Sequence, residues 1–195
     1  MRKIILIPLL FLFYLVSGQT DWKLNVDKNL IKVYTRDSEI TNYKAFRAIT
    51  TINSDILSVK KVMLNFSDYY KWNYECIKSE VLKNEADSVK VIYTVTQSPW
   101  PVKNRDAVVK YRINQTENML FISFWLVSGY ISENTECVRM KALTGYWKIV
   151  KIAPDRTQIE FEASFDPGGN IPDELINRGI SYTPYQTMIN LRKMF

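Results

Sequence analysis

Apolar and polar residues alternate through most of this chain, and the alternation gives way to a helical period in two places. At the C-terminal end Ile176, Ile180, Pro184, Met188, Leu191 and Phe195 recur every three to four residues, which is one face of a helix. Pro172 stands where a first helical position belongs, Asp173 and Glu174 put negative charge in the first turn, and Arg192 and Lys193 put positive charge in the last. Pro184 predicts a kink within that helix. Asp166-Pro-Gly-Gly leads into it, and two glycines permit the positive φ of a sharp strand-to-helix turn. The second helical stretch opens at Ser54-Asp55 and carries Ile56, Val59, Met63 and Leu64 as its apolar stripe. Asn65–Asp68 interrupts it, and Ser67 or Asp68 is expected to cap a short helix through Tyr69, Tyr70 and Trp72.

The rest reads as strands. Residues 22–26 and 31–34 alternate around a Lys28-Asn29 turn, a hairpin, and 43–52 places Phe46, Ala48 and Thr50 on one face of a third strand. Strands over 77–83, 89–96, 108–115 and 119–127 follow at meander spacing, and 141–152 and 157–165 complete the set through a turn at Pro154-Asp155. In the last strand Ile159, Phe161, Ala163 and Phe165 face one way and Glu160, Glu162 and Ser164 the other. The same split sets Val89, Val91, Tyr93 and Val95 against Lys90, Thr94 and Thr96, so one face is expected to be wet and one covered. The fold class is α+β, with one long helix that must pack on the sheet. The connections 98–106, with two prolines around Trp100, and 127–137 are candidate rim loops of a pocket.

Composition narrows the chemistry. The chain has 195 residues, 47% of them hydrophobic and 13% aromatic, enough for one domain with a sizeable core. There is no His, which removes mechanisms that need an imidazole base or ligand. Residues 1–18 read as a signal peptide: Arg2 and Lys3, an apolar stretch from Ile4 to Val16, then Ser17 and Gly18, with cleavage expected near Gly18/Gln19. The apolar stretch is shorter than the about 20 residues of a membrane span, and an uncleaved anchor is the alternative. The expected mature domain is 19–195, exported to a periplasm or secreted. It keeps 24 basic and 20 acidic residues, with no basic run longer than two, a balance that argues against nucleic-acid binding and allows weak attraction to an anionic lipid surface. Cys76 and Cys137 are the only cysteines; an oxidising compartment permits a disulfide, and the sequence leaves pairing open. Two cysteines without His make a metal site implausible.

No nucleophile elbow, phosphate loop or dinucleotide fingerprint occurs, and no catalytic residue, cofactor or metal is assigned. Asp106 and Asp166 could form an acid/base pair, but turn or cap hydrogen bonds, or pairing with Arg105, explain them better. Arg139, between Val138 and Met140, is either an interior cation that anchors a polar head group or an edge residue facing water. Tyr93, Tyr111, Phe124, Met140, Tyr146, Phe161 and Met188 form an apolar stripe that reads as core unless the sheet encloses a space. With Trp100, Arg139 and Ile180 they make the candidate ligand-binding set.

Several segments, in order and at plausible spacing, carry a resemblance. They are Trp22 with Ile31–Arg36, Lys44–Ala48, Trp72 with Cys76, Tyr93 with Pro99–Asp106, Gly145-Tyr-Trp147, Asp166–Pro172, and Pro184-Tyr185 with Asn190–Arg192. Together they resemble the START (steroidogenic acute regulatory protein-related lipid-transfer) family, in its bacterial-type single-domain form. The resemblance implies a helix-grip, or START/Bet v 1-like, fold: a curved antiparallel sheet wrapped around a long C-terminal helix, enclosing a hydrophobic cavity. It implies non-catalytic carriage of a lipid, sterol or other hydrophobic molecule, with transient membrane contact. It places Trp100 and the 127–137 loop at the mouth and Arg139 as an interior polar contact. The chain departs from animal START domains in its targeting segment and in lacking their long N-terminal helix. A cyclase- or aromatase-type enzyme of the wider helix-grip superfamily is the alternative function; Asp or Glu inside the cavity with a raised pKa would favour it.

Overall fold

A computed structural model describes residues 22–171 and 173–195. The targeting segment and Pro172 lie outside the described residues. The two sequence-predicted strands at the start form a hairpin, β1 (Lys23–Lys28) and β2 (Ile31–Asp37), whose two-residue turn holds Asn29 and Leu30 at φ 54° and 59°. Two successive positive φ values suit the right-handed twist of the flanking strands. After β3 (Lys44–Ile52) comes α1 (Ile56–Met63), capped as expected by Asp55, whose Oδ1 accepts from the Leu57 and Ser58 amides at 2.9 and 3.0 Å. The short helix that follows is a 3-10 helix over Phe66–Lys71. It takes Ser67 and Asp68 inside it rather than as caps, because the Asn65 carbonyl already receives the Asp68 amide.

The remaining strands are β4 (Cys76–Ala86), β5 (Val89–Thr96), β6 (Asn104–Gln115), β7 (Met119–Leu126), β8 (Cys137–Arg139), β9 (Ala142–Ala153) and β10 (Arg156–Asp166). They form one curved sheet in the order β1-β2-β3-β10-β9-β7-β6-β5-β4, antiparallel throughout. The short β8, not anticipated from the sequence, pairs parallel with β6, from Asn104 opposite Cys137 to Asp106 opposite Arg139. Pairing of β10 with β3 joins the last strand to the first three and gives α2 (Asp173–Arg192) a continuous floor. That helix runs through Pro184 and ends at Arg192, whose Nη1 donates to the Asn29 carbonyl at 2.5 Å.

The main core lies between the concave face and the helices. Trp147 stacks on Phe161 with centroids 3.8 Å apart and planes 5° from parallel, and Trp72 meets Trp147 edge-on at 5.5 Å. Ile176, Ile180, Met188 and Leu191 of α2 are buried against this layer, each fully buried large side chain worth about 1.5–3 kcal/mol. A second, smaller cluster sits on the opposite face: Val91, Tyr93, Val95 and Val108, covered by Val127, Tyr130 and Ile131. The parity split of β5 is therefore as read, but its Val/Tyr face is the outer one. Ile92 and Thr94 are buried on the inner face, so both faces of β5 are covered. A segment over 127–137 lies across that outer face like a strap.

Gly145 on β9 marks the tightest packing. A Cβ there would stand 2.2 Å from the Glu162 carbonyl oxygen and 2.5 Å from Phe124 Cζ. Gly145→Ala should lower stability in urea denaturation by about 1–3 kcal/mol, since backbone must move to admit the methyl.

Candidate functional site

Beneath the N-terminal half of α2 the core stops short and leaves a cavity of about 430 Å³. Ile176, Gly179, Thr183 and Pro184 form its roof, and Phe46, Met140 and Phe165 its apolar floor. Ser98, Pro99 and Val102 of the first rim loop and Pro167 and Ile171 of the turn before α2 form its sides. The helix therefore covers a cavity with its first half and solid core with Met188 and Leu191 in its second. The Asp166-Pro-Gly-Gly turn is built as the sequence suggests: Gly168 and Gly169 adopt φ 66° and 65°, and Asp166 Oδ1 accepts from the Gly168 amide at 2.8 Å.

Arg105 and Asp106 are neighbours on β6 and face opposite sides of the sheet. An Arg105–Asp106 pair, one of the readings left open by the sequence, is accordingly not formed. Arg105 turns inward, 5% exposed, and its guanidinium ties both rims of the cavity together. Nη2 donates to the Gly168 carbonyl at 3.0 Å and Nε to that of Pro167 at 3.4 Å, while Nη1 reaches the Lys103 carbonyl at 2.5 Å and Ser98 Oγ at 3.4 Å. Desolvation lowers its pKa from the ordinary arginine value. Asp106 turns outward and pairs with Arg139 in a two-pronged bridge, Nε to Oδ1 at 3.0 Å and Nη2 to Oδ2 at 2.9 Å. The Asp106 side chain is 0% exposed and that of Arg139 19%. Arg139 Nη2 also donates to the Ser132 carbonyl, and the Met140 amide donates to the Asp106 carbonyl, so this pair fastens the strap.

Of the candidate ligand-binding residues, Met140 lies in the cavity wall. Tyr111, Phe124, Phe161, Ile180 and Met188 lie in the adjoining core. Trp100 is 93% exposed at the tip of the loop whose Pro99 and Val102 line the cavity. Tyr93 belongs to the outer cluster, its hydroxyl accepting from Asn134 Nδ2 at 3.2 Å. Tyr146 is also on the outer face, where its hydroxyl lies 2.5 Å from Glu160 and 2.9 Å from Glu162. Desolvation and these carboxylates raise the Tyr146 pKa, and Arg47 balances them with Nη2 2.7 Å from Glu162.

Glu75 is absent from the sequence-derived candidates, and Asp106 pairs with Arg139 rather than Arg105. Glu75 sits at the cavity rim in a left-handed conformation, φ 63°, a geometry that costs a non-glycine residue about 1 kcal/mol or more. Its carbonyl accepts the Gln97 amide at 2.8 Å, and desolvation raises the pKa of its carboxyl. No sequence signal marks a positive φ at a glutamate. Cys76 and Cys137 are both free thiols. Burial pushes the Cys76 pKa up to about 11, and desolvation followed by the Asp106 charge raises that of Cys137. Among the described residues no cluster of three or more His, Cys, Asp or Glu could hold a metal.

Asp106→Ala tests the strap. Removing one partner strands a largely buried guanidinium, so stability should fall by about 3 kcal/mol. Amide exchange should accelerate across residues 127–139 and remain slow in β3 and β10.

The START domain family model matches residues 15–192. An uncharacterized protein of Pseudomonas aeruginosa is 30% identical over 173 residues, covering 88% of this chain and 85% of that one. The crystal structure of a STAR-related lipid transfer protein fragment from Xanthomonas axonopodis superposes with a TM-score of 0.80 at 29% identity, over 88% of this chain and 97% of that one. Human StAR-related lipid transfer protein 5 superposes with a TM-score of 0.83 at 17% identity, over 91% and 88%, a likeness of fold.

Proposed function

The chain belongs to the START domain family, and we propose that it carries one hydrophobic molecule in the cavity beneath α2 without covalent chemistry. The observation that carries this reading is the cavity itself. It holds about 430 Å³ behind mostly apolar walls, above the roughly 300 Å³ at which small-molecule sites begin. Burial of an apolar ligand there is worth about 25 cal/mol per Å². The name of the Xanthomonas protein supports a lipid as the ligand class, and a sterol fits the same description of walls and size. Entry requires the rim loop and the first half of α2 to part, a motion of a kind that often limits release.

Transient membrane contact belongs to the same reading. Trp100, Leu175 and Tyr182 are exposed on segments that border the cavity. Trp and Tyr favour the interface between head groups and acyl chains, where an amphipathic ring satisfies both sides. Export is part of the proposal: residues 1–18 are removed and 19–195 act in a periplasm or outside the cell, on the strength of the basic start and short apolar stretch.

Native mass spectrometry of the protein, with lipid analysis of what co-purifies, tests the carrier. A one-to-one adduct is expected. Position 179 supplies the control, because a Cβ there would meet only Thr183 Oγ1, at 3.8 Å. Gly179→Phe should fold as stably as the parent or better, since glycine inside a helix costs about 1 kcal/mol, and should lose most uptake. A protein that comes off empty and takes up neither lipid nor sterol from vesicles would sink the carrier reading.

One observation favours the enzyme reading: the Glu75 carboxyl borders the cavity, and desolvation raises its pKa, the direction a proton-transfer carboxyl requires. Glu75→Gln separates the two. A raised folded-state pKa means that ionisation opposes folding, so its stabilising effect is present below the carboxylate range and lost as pH rises through the folded pKa. A carrier bearing Glu75→Gln should therefore keep its uptake and show a higher Tm above the carboxylate range, with no gain well below it. An enzyme would instead lose turnover.

A further inference from the structure

We infer that this cavity selects amphiphiles with an oxyanion head, and that Arg105 receives that head; the inference rests on the carrier reading. Arg105 lines the cavity wall and is 5% exposed, yet among the described side chains no carboxylate forms an ion pair with it. Three described carboxylates near it in sequence or beside the cavity are occupied elsewhere. Asp106 is held by Arg139 on the far side of the sheet. Asp166 accepts from the Gly168 amide, and Glu174 pairs with Arg178, a second cation of the cavity lining whose side chain is 73% exposed and already has this countercharge. Glu75 lines the same cavity at its exposed rim and makes no ion-pair contact with Arg105.

The hydrogen bonds of Arg105 all end on neutral acceptors: the carbonyls of Lys103, Pro167 and Gly168, and Ser98 Oγ. A guanidinium carries five N–H groups. Four are used, and one on Nη2 has no described acceptor. Carbonyl dipoles soften the cost of burying a cation but leave its charge in place. A carboxylate or phosphate oxygen entering the cavity would supply both the missing acceptor and the missing countercharge, in the kind of charge-assisted bond for which arginine is suited. The ligand's apolar body would lie against Met140, Phe165 and Ile176. A neutral sterol or alcohol would fill the space and leave the charge unanswered.

Three ligands with one chain test this: oleate, oleyl phosphate and oleyl alcohol, titrated below their aggregation thresholds. At least one anion should bind about tenfold or more tightly than the alcohol, the ratio expected of a hydrogen bond to a charged group. Preference for oleate identifies a free carboxylate as the natural head, preference for oleyl phosphate a phosphate ester; either upholds the inference. Arg105→Gln should erase the preference while the alcohol still binds, and Arg105→Lys should keep part of it. Arg105 also ties the rims, so a variant that fails to fold leaves the comparison on the unaltered protein to decide. Lowering the pH until oleate is protonated should then abolish its advantage over the alcohol. Equal binding of alcohol and anions by the unaltered protein overturns the inference and leaves the carrier reading standing, as does a folded Arg105→Gln that keeps the preference. Failure of all three ligands, with the protein empty as isolated, overturns the carrier reading and the inference with it.

Discussion

Successive residues of a strand face opposite sides of its sheet, and at Arg105-Asp106 that elementary constraint organises the mouth of the molecule. One inward guanidinium binds carbonyls from both the first rim loop and the turn that launches α2. One outward carboxylate, through Arg139, pins the strap over the outer cluster. The two devices share a backbone and stand on opposite faces, so β6 is the common support of the cavity rim and of the second core. A shift of β6 by one residue would exchange the two side chains. It would put an unpaired carboxylate in the cavity and a cation under the strap, which is why register there is strongly specified.

The helix above divides by residue size. Where large side chains face the sheet, at Met188 and Leu191, the aromatic layer of Trp72, Trp147 and Phe161 leaves no room. Where Gly179 and Thr183 face it, the layer ends and the cavity begins. Protein interiors normally pack as densely as organic crystals. A mostly apolar cavity of about 430 Å³ that opens to solvent at its rim leaves wall contacts that a ligand would supply. Any molecule that binds the folded chain and not the unfolded one also stabilises it by mass action. Ligand occupancy and the stability of the N-terminal half of α2 are thus thermodynamically linked, while the C-terminal half rests on contacts a ligand does not touch.

Much of this was legible in the sequence. The hairpin, α1 with its Asp55 cap, the glycine turn and the long final helix each follow from local rules that need no knowledge of distant neighbours. The family motifs gave the helix-grip arrangement as a whole. What was not legible depends on which side of the sheet faces the helix. The Val91-Tyr93-Val95 face reads as the covered face, and it is covered, but by the strap. The period of two separates the faces without saying which is concave. Tyr146 illustrates the same limit. It alternates correctly with Trp147, yet it is the outward member and meets carboxylates. Of the structural readings open for Asp106 and Asp166, the turn hydrogen bond holds at Asp166, and pairing with Arg105 fails at Asp106 because neighbours on a strand face opposite sides. Glu75 was invisible because a positive φ at a glutamate is imposed by tertiary structure alone.

Family membership and ligand choice rest on different atoms. The sheet, the aromatic layer and the covering helix determine that a space exists, and they do so through apolar contacts that discriminate poorly. One methylene more or less in such a wall changes affinity by only about 1–3 kcal/mol. Discrimination of several further orders of magnitude requires a polar group that one ligand satisfies and its competitor leaves unpaired. In this cavity the described groups of that kind are few, and they differ in what they need. Ser98 and Thr183 are hydroxyls that can reorient toward donor or acceptor alike. Glu75 and Arg178 border solvent and can be hydrated at the rim, and Arg178 already pairs with Glu174. Arg105 is buried, fixed at four bonds and charged, and so is the one least able to find an alternative partner. Selectivity should concentrate where the wall is least adaptable, which places it at the residue that also holds the mouth together.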